Sequence, residues 1–380
     1  MRLGDICSKI GSGATPRGGK EAYSASGIPI IRSQNVLDWS FSSNGLAYLN
    51  DEQARTLSNV EVHQGDILLN ITGDSVARAC IVPSDVIPAR VNQHVAILRP
   101  KKKANATFIL AWLQTNKDLL LKLASSGATR NALTKRMLEG LDINLPSIDI
   151  QNHIAALISL IQSKINLNIK LNGYLLELAT TRFEQALFKS NRVVRLGDIV
   201  KLEDSKRVPL NSRDRDARKG PYPYYGATSI MDYVDDYLFD GIRVLLGEDG
   251  SVIDESGRPI LQYVWGKYWV NNHAHILAAA SDYSLEAIYI ALQRTPISHI
   301  VTGAVQRKIS QRNLNKLKLE MPDAKSLEYL QDIFAAYRCN CEENRGLVSL
   351  RDALLPKLMS GEIDVSKIDV AQLNSHLAEY

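Results

Sequence analysis

The side chains able to do chemistry are few, and their spacing limits what that chemistry is. His273 and His275 stand two apart, as a metal-binding pair does. The run around them alternates like a strand and offers no third ligand nearby, so no metal site is expected. A base methyltransferase needs an Asn/Asp-Pro-Pro-aromatic motif for a flipped base, and Asn144-Leu145-Pro146-Ser147 is not one. Gly11-Ser12-Gly13 has no glycine-rich helix start behind it, and no Gly-x-x-x-x-Gly-Lys-Ser/Thr phosphate loop occurs. Pro322-Asp323 resembles one corner of a nuclease site but lacks a suitably spaced Glu-x-Lys, and reads as the end of a strand. Cys7, Cys80, Cys339 and Cys341 make no disulfide framework and read as reduced thiols. The chain is therefore expected to carry no catalytic, metal or cofactor site of its own.

A length of 380 residues leaves room for two or three domains with their own cores. A hydrophobic content of 45% and a charged content of 23% are ordinary for a soluble globular chain. There is no apolar run of about 18 residues to span a membrane. Met1-Arg2-Leu3-Gly4-Asp5 lacks the apolar core of a signal peptide, which points to the cytoplasm. The net charge of +4 is mild, and the excess of Lys and Arg falls outside the long-helix segments.

Those segments must position whatever binds. Residues 150–187 contain no proline and one glycine, Gly173. Roughly 38 residues at about 1.5 Å each make a rod of about 57 Å, too long for an ordinary globular helix. Pro146 stops what precedes it, and Ser147 or Asp149 can cap the first turn. In steps of four and three, one face carries Ile154, Ile158, Ile161, Ile165, Asn168, Asn172, Leu175 and Ala179. That is a coiled-coil seam, with asparagines that penalise wrong registers. Adding 176 to each number (154 to 330, 179 to 355) gives Leu330, Phe334, Tyr337, Cys341, Asn344, Val348, Arg351 and Leu355. The stripe recurs with an asparagine again in fifth place, and Pro146 maps to Pro322. The rods are expected to be two copies of one helix, packed on each other.

The duplication runs through the chain. Arg2-Leu3-Gly4-Asp5-Ile6 returns as Arg195-Leu196-Gly197-Asp198-Ile199, and Gly27-Ile28-Pro29-Ile30-Ile31 has a looser echo in Pro221-Tyr222-Pro223-Tyr224-Tyr225. Residues 91–98 answer 270–277. Gly127-Ala128 with Leu133-Thr134-Lys135-Arg136 answers Gly303-Ala304 with Ile309-Ser310-Gln311-Arg312. Apolar runs at 28–31, 66–71 and 94–98 between turn-forming clusters predict strands. Helical spacing predicts one helix over 107–123, with Gly127 as its stop, and another over 284–292, closed by Pro296. The predicted fold is α+β, a tandem duplication of two domains separated by an antiparallel pair of long helices (a coiled coil), with pseudo-two-fold symmetry. Its parts are 1–146 and 191–322 for the domains, 147–190 and 323–363 for the central and distal helices, and 364–380 for a loosely held tail. Such an arrangement suits one linear ligand with two recognised segments, and DNA is the obvious candidate.

Leu133-Thr134-Lys135-Arg136, Leu145-Pro146, Gln151 and the long helix ending near Phe188 resemble the specificity (S) subunit of type I restriction–modification systems. So does the C-terminal Leu354-Leu355-Pro356-Lys357-Leu358-Met359-Ser360-Gly361-Glu362-Ile363. The likeness runs from Arg2 to about Asp364; single motifs are modest, but their order occurs twice. It implies two target-recognition domains, each reading one half of a bipartite, asymmetric sequence in double-stranded DNA. It implies helices that act as a ruler for the gap and dock two methyltransferase (M) subunits. The partners would methylate adenine with S-adenosylmethionine, and restriction (R) subunits would translocate and cleave with ATP and Mg. One departure is that almost no leader precedes Arg2, so the contacts a longer leader makes in other members do not carry over to this sequence by resemblance. Rival readings are a type IIB specificity subunit, an enzyme with an unrecognised active site, and a coiled-coil scaffold without a DNA role.

DNA contacts must come from polar loops, with Lys, Arg, Ser and Thr for phosphates and Arg, Asn and Gln for base edges. In the first domain the candidates are Thr15, Arg17 and Lys20 in a Gly-rich loop, Arg32, Gln34, Asn35, Arg78, and Asn92 with Gln93. In the second they are Lys206, Arg207, Arg213, Arg215, Lys219, Tyr225, Thr228, Lys267, and Asn271 with Asn272. His273 and His275 are expected to be structural or DNA-facing. Arg213, Arg215 and Lys219 alternate with Asp214 and Asp216, as a wet loop with internal ion pairs also does. Asn92 and Asn271 fill matching repeat positions, which a shared structural hydrogen bond would equally require. Each domain is expected to enter the major groove, with half-site centres about one helical turn apart.

Overall fold

The computed structural model describes residues 1–16, 18, 22–125, 131–303 and 306–368. The predicted stop at Gly127 and the tail beyond 368 lie outside the described residues. The chain divides into two compact units, one of residues 1–167 with the segment from Glu343 onward, the other of residues 168–342.

In the first unit the strands are β1 (Cys7–Ser12), β2 (Ile28–Ile31), β3 (Ala47–Leu49), β4 (Glu61–Val62), β5 (Ile67–Asn70), β6 (Ala79–Ile81), β7 (Ala89–Val91) and β8 (Val95–Pro100). They make two sheets, in the orders β1-β8-β5-β6 and β3-β2-β7-β4. The first is antiparallel, and the second pairs β2 with β7 in parallel. In the second unit β9 (Arg192–Arg195) precedes β10 (Val200–Leu202), β11 (Lys219–Tyr225), β12 (Ile230–Val234), β13 (Phe239–Asp240), β14 (Arg243–Gly247), β15 (Leu261–Val264), β16 (Lys267–Val270) and β17 (Ala274–Ala279). Their orders are β10-β17-β14-β15 and β12-β11-β16-β13, again with a parallel pair, β11 with β16. Short strands β18 (Val301–Thr302), β19 (Lys308–Ile309) and β20 (Lys318–Met321) complete it, with β20 pairing β9. One topology has been drawn twice. The central strand β5 is Ile-Leu-Leu-Asn and buried at every position, because both its faces are covered.

Helix Ala106–Thr115 starts where Asn105 accepts the N–H groups of Thr107 and Phe108, and helix Leu285–Arg294 starts at Ser284 in the same way. The single helix expected over 107–123 is broken. Asn116 leaves helical geometry, its Nδ2 donates to Trp112 O at 2.8 Å, and a second helix follows over Lys117–Ser125. A short amide competing for a backbone carbonyl is the physical reason.

The central helix spans Ile148–Lys189 and the distal helix Tyr329–Ser360. Gln151, buried at the start of the central helix, accepts from Asn105 N and donates to Pro146 O, both at 2.9 Å, which fastens the rod to the first domain. In the first unit Ile154, Ile158, Ile161 and Ile165 are buried, and Ile154 and Ile158 share a core with Leu355 and Leu358. There Gln162 meets Arg351 at 2.9 Å and Ile165 O meets Asn344 Nδ2 at 3.3 Å, so rising numbers on one rod face falling numbers on the other. The second unit shows the same antiparallel sense. Ala179 and Phe183 share a core with Leu330 and Phe334, and Asn172 Nδ2 donates to Tyr337 O at 3.3 Å and Cys341 Sγ at 3.2 Å. Asn340 Nδ2 donates to Asn172 Oδ1 at 2.8 Å, so the polar break in the seam is hydrogen-bonded. Tyr337, Cys341 and Val348 of the predicted stripe are only half-buried. Cys7 and Cys80 are buried, Cys341 is half-buried and Cys339 is exposed, all as free thiols. No described helix is long and apolar enough to cross a membrane.

Candidate nucleic-acid interface

Each domain carries the same turn between its two sheets. β7 ends in Asn92-Gln93-His94 before β8, and β16 ends in Asn271-Asn272-His273 before β17. Asn92 Oδ1 accepts the N–H of His94 at 3.1 Å, and Asn271 Oδ1 accepts that of His273 at 2.8 Å. A side-chain carbonyl that mimics a backbone turn is what asparagine supplies at such a position. The N–H of Asn92 donates to Ile31 O and that of Asn271 to Tyr225 O, at 2.9 and 3.0 Å. The next residue, Gln93 or Asn272, is exposed. The imidazole after it is also exposed and is steered through Nδ1, with Thr72 Oγ1 at 2.7 Å from His94 and Asp249 Oδ1 at 2.6 Å from His273. Each turn therefore offers solvent one carboxamide, a group able to pair with a base edge, beside one imidazole.

This geometry corrects several expectations. Asn92 and Asn271 are buried turn-formers, which leaves their neighbours as the exposed groups of the turn. Asn35 is fully buried, accepting from Arg32 N at 3.0 Å and donating to Ser42 O and Asn44 O at 2.9 and 3.1 Å, and it too is structural. Tyr225 is buried with its ring edge-on to Tyr268. Arg215 is spent on Asp232 and Leu210 O, and Lys219 on Asp232 and Asp216, so the pairing runs chiefly across to β12 and only Lys219–Asp216 lies within the loop. Arg32 donates to Gly45 O, where Gln34 Nε2 also arrives at 3.1 Å, so both brace that loop. Lys206 pairs with Glu203 at 2.6 Å, and Lys267 lies over the Tyr237 ring at 4.6 Å. Gln93, Arg213, Thr228 and Asn272 are exposed, and Thr15 and Arg78 are half-buried. Arg17 and Lys20 lie outside the described residues. His94 is absent from the candidates the sequence offers, and His273 enters there only as structural or DNA-facing; Asn-x-His at both repeat positions is the signal that marks the pair.

Arg207 points inward. Its Nη1 reaches Glu248 Oε2 at 2.6 Å, Ala274 O at 2.8 Å and Asn272 O at 3.3 Å, and Nε donates to Asp204 O at 2.9 Å. Beside it His275, buried on β17, has Nδ1 at 2.6 Å from Asp204 Oδ2 and Nε2 at 2.8 Å from Ile309 O. A nitrogen facing a carbonyl must donate. Burial opposes charge on Asp204, but the hydrogen bond and charge of His275, the N–H of Ile276 and Arg207 hold its carboxyl below the usual range. Glu248 is likewise held low against burial by Arg207, His275 and Lys308. Asp204, Glu248 and His275 lie as close as the ligands of a metal ion, but both imidazole nitrogens are committed and Arg207 and Lys308 already face the carboxylates. The cluster is an ion-paired latch.

The type I restriction modification DNA specificity domain family matches residues 1–175 and again 189–337. A Haemophilus influenzae relative assigned as a type I restriction enzyme specificity subunit is 30% identical over 127 residues, 33% of this chain and 32% of that relative's length. A type I restriction enzyme specificity subunit of Methanocaldococcus jannaschii is 22% identical over 411 residues, covering 97% of this chain and 94% of the relative. Among solved structures, the S subunit of a type I restriction–modification system from M. genitalium shares the fold, with a TM-score of 0.54 at 15% identity over 94% of this chain and 95% of that one. With one family matched twice along a chain whose fold is itself drawn twice, the protein belongs to the type I restriction modification DNA specificity domain family.

Proposed function

We propose that this chain is the sequence-reading subunit of a type I restriction–modification complex. Residues 1–146 and 191–322 each read one half of a bipartite, asymmetric DNA target, and the long helices set the gap and dock two methyltransferase subunits. The chain performs no chemistry. Methylation with S-adenosylmethionine and cleavage with ATP and Mg belong to the M and R partners, and a cytoplasmic location goes with that work. The observation that carries this reading is the repeated turn, one frame with different exposed tips, Gln93-His94 and Asn272-His273. A reader of two unlike half-sites needs a common scaffold with different edges presented to the bases. Thr15, Arg78, Arg213 and Thr228 remain as flanking contacts. A scaffold without a DNA role gives no reason for such a pair of turns.

The test is a set of duplexes in which the gap between half-sites gains or loses one base pair, methylated by the assembled complex. Methylation should fall steeply away from one gap length. Equal methylation at every gap length would remove the ruler, and none at any length would favour the scaffold.

A further inference from the structure

Resting on the reading that the Asn272-His273 turn faces DNA, we propose that Arg207 is a positioning residue which holds that turn in shape and does not itself touch DNA. The two carbonyls it grips, Asn272 O and Ala274 O, flank His273. Its side chain is only 13% exposed, which leaves no free face for a phosphate. What stands behind it is fixed in turn. Asp204 Oδ1 accepts the N–H of Ile276 at 2.9 Å, and Oδ2 is met by His275 Nδ1 and Gln311 Nε2, both at 2.6 Å. Lys308 lies 3.2 Å from Glu248. Arg207, Asp204, Glu248 and His275 thus tie four segments to one turn: the loop after β10, the end of β14, the start of β17 and the chain around β19.

Among the described residues, the first domain holds the matching carbonyl without charge. Val95 O, the counterpart of Ala274 O, is met at 2.9 Å by the backbone N–H of Gly13, and Ala96 stands where the second domain has His275. Among the described residues a buried ion cluster stands behind the second domain's turn alone, so recognition of that half-site depends on it.

The experiment uses the full complex with targets carrying every single base-pair change in both half-sites, and a salt titration of binding. Arg207→Met should lower discrimination about ten-fold at the second domain's half-site, spare the other, and leave the salt slope unchanged. Arg207→Lys keeps the charge but not the fork, and should behave like Arg207→Met. His275→Gln should give the same pattern more weakly. A uniform loss across all sequences, a salt slope smaller by about one and rescue by lysine would instead make Arg207 a phosphate contact. Unchanged discrimination, or equal loss at both half-sites, would also overturn the proposal. A wild-type complex that discriminates at neither half-site would bring down the functional reading first, and this proposal with it.

Discussion

In the first domain Gly13 meets the carbonyl of Val95, whereas in the second Arg207 meets the carbonyl of Ala274, its counterpart. A Cβ on Gly13 would lie 1.9 Å from Val91 O and 2.5 Å from Asn92 O, so only glycine lets the loop after β1 come this close. Ala14 N then donates to Val91 O at 3.0 Å. The corresponding loop of the second domain is charged, with Glu203, Asp204, Lys206 and Arg207. Glu203 pairs with Lys206 at 2.6 Å and Arg243 at 2.7 Å, and Asp204 with His275 at 2.6 Å. One turn is held by shape and the other by charge. The duplicated fold has kept the hydrogen bonds of the turn while the groups that satisfy them have diverged.

The largest effect should come from removing the latch. His275→Leu leaves Asp204 buried beside an apolar group, and about 3–5 kcal/mol of stability should be lost, measured by urea unfolding. A loss under about 1 kcal/mol would mean that Arg207 and Gln311 hold the carboxylate unaided. Next, Gly13→Ala forces the first loop off its turn, with about 1–3 kcal/mol lost and weaker discrimination at that domain's half-site alone. An unaffected half-site would show that the loop tolerates the methyl group. The smallest effect concerns pH. A carboxyl whose folded pKa is depressed contributes stability fully above its unfolded value, near pH 4, and loses it as pH falls through the folded value. Asp204 is such a group. The melting-temperature gap between wild type and Asp204→Asn should therefore be constant at neutral pH and close below about pH 4. A gap that stayed open in acid would show that shape matters there more than charge.

The sequence displayed what is periodic. The 3.5-residue stripe from Ile154 to Ala179, its copy from Leu330 to Leu355 and the order of the repeated phrases were visible because helix packing and duplication leave regular marks. The interface was only half legible. Asparagine at 92 and 271 serves a turn as well as a base, and only the hydrogen bonds to His94 and His273 distinguish the two. Arg207 looks like a phosphate ligand in sequence because its partners, Glu248 and Ala274, are distant along the chain. Asn116 broke a helix whose apolar spacing continued without interruption, a local contest that spacing does not register.

Cys339 has a use that follows from its neighbours. Burial pushes the thiols of Cys7 and Cys80 up to about 12, far from the thiolate that alkylating reagents require, and Cys341 is half-buried against Asn172. Cys339, on the solvent side of the distal rod, is left as the natural attachment point for a maleimide dye. The unaltered chain thus offers an exposed thiol through which a dye can be attached without a substitution.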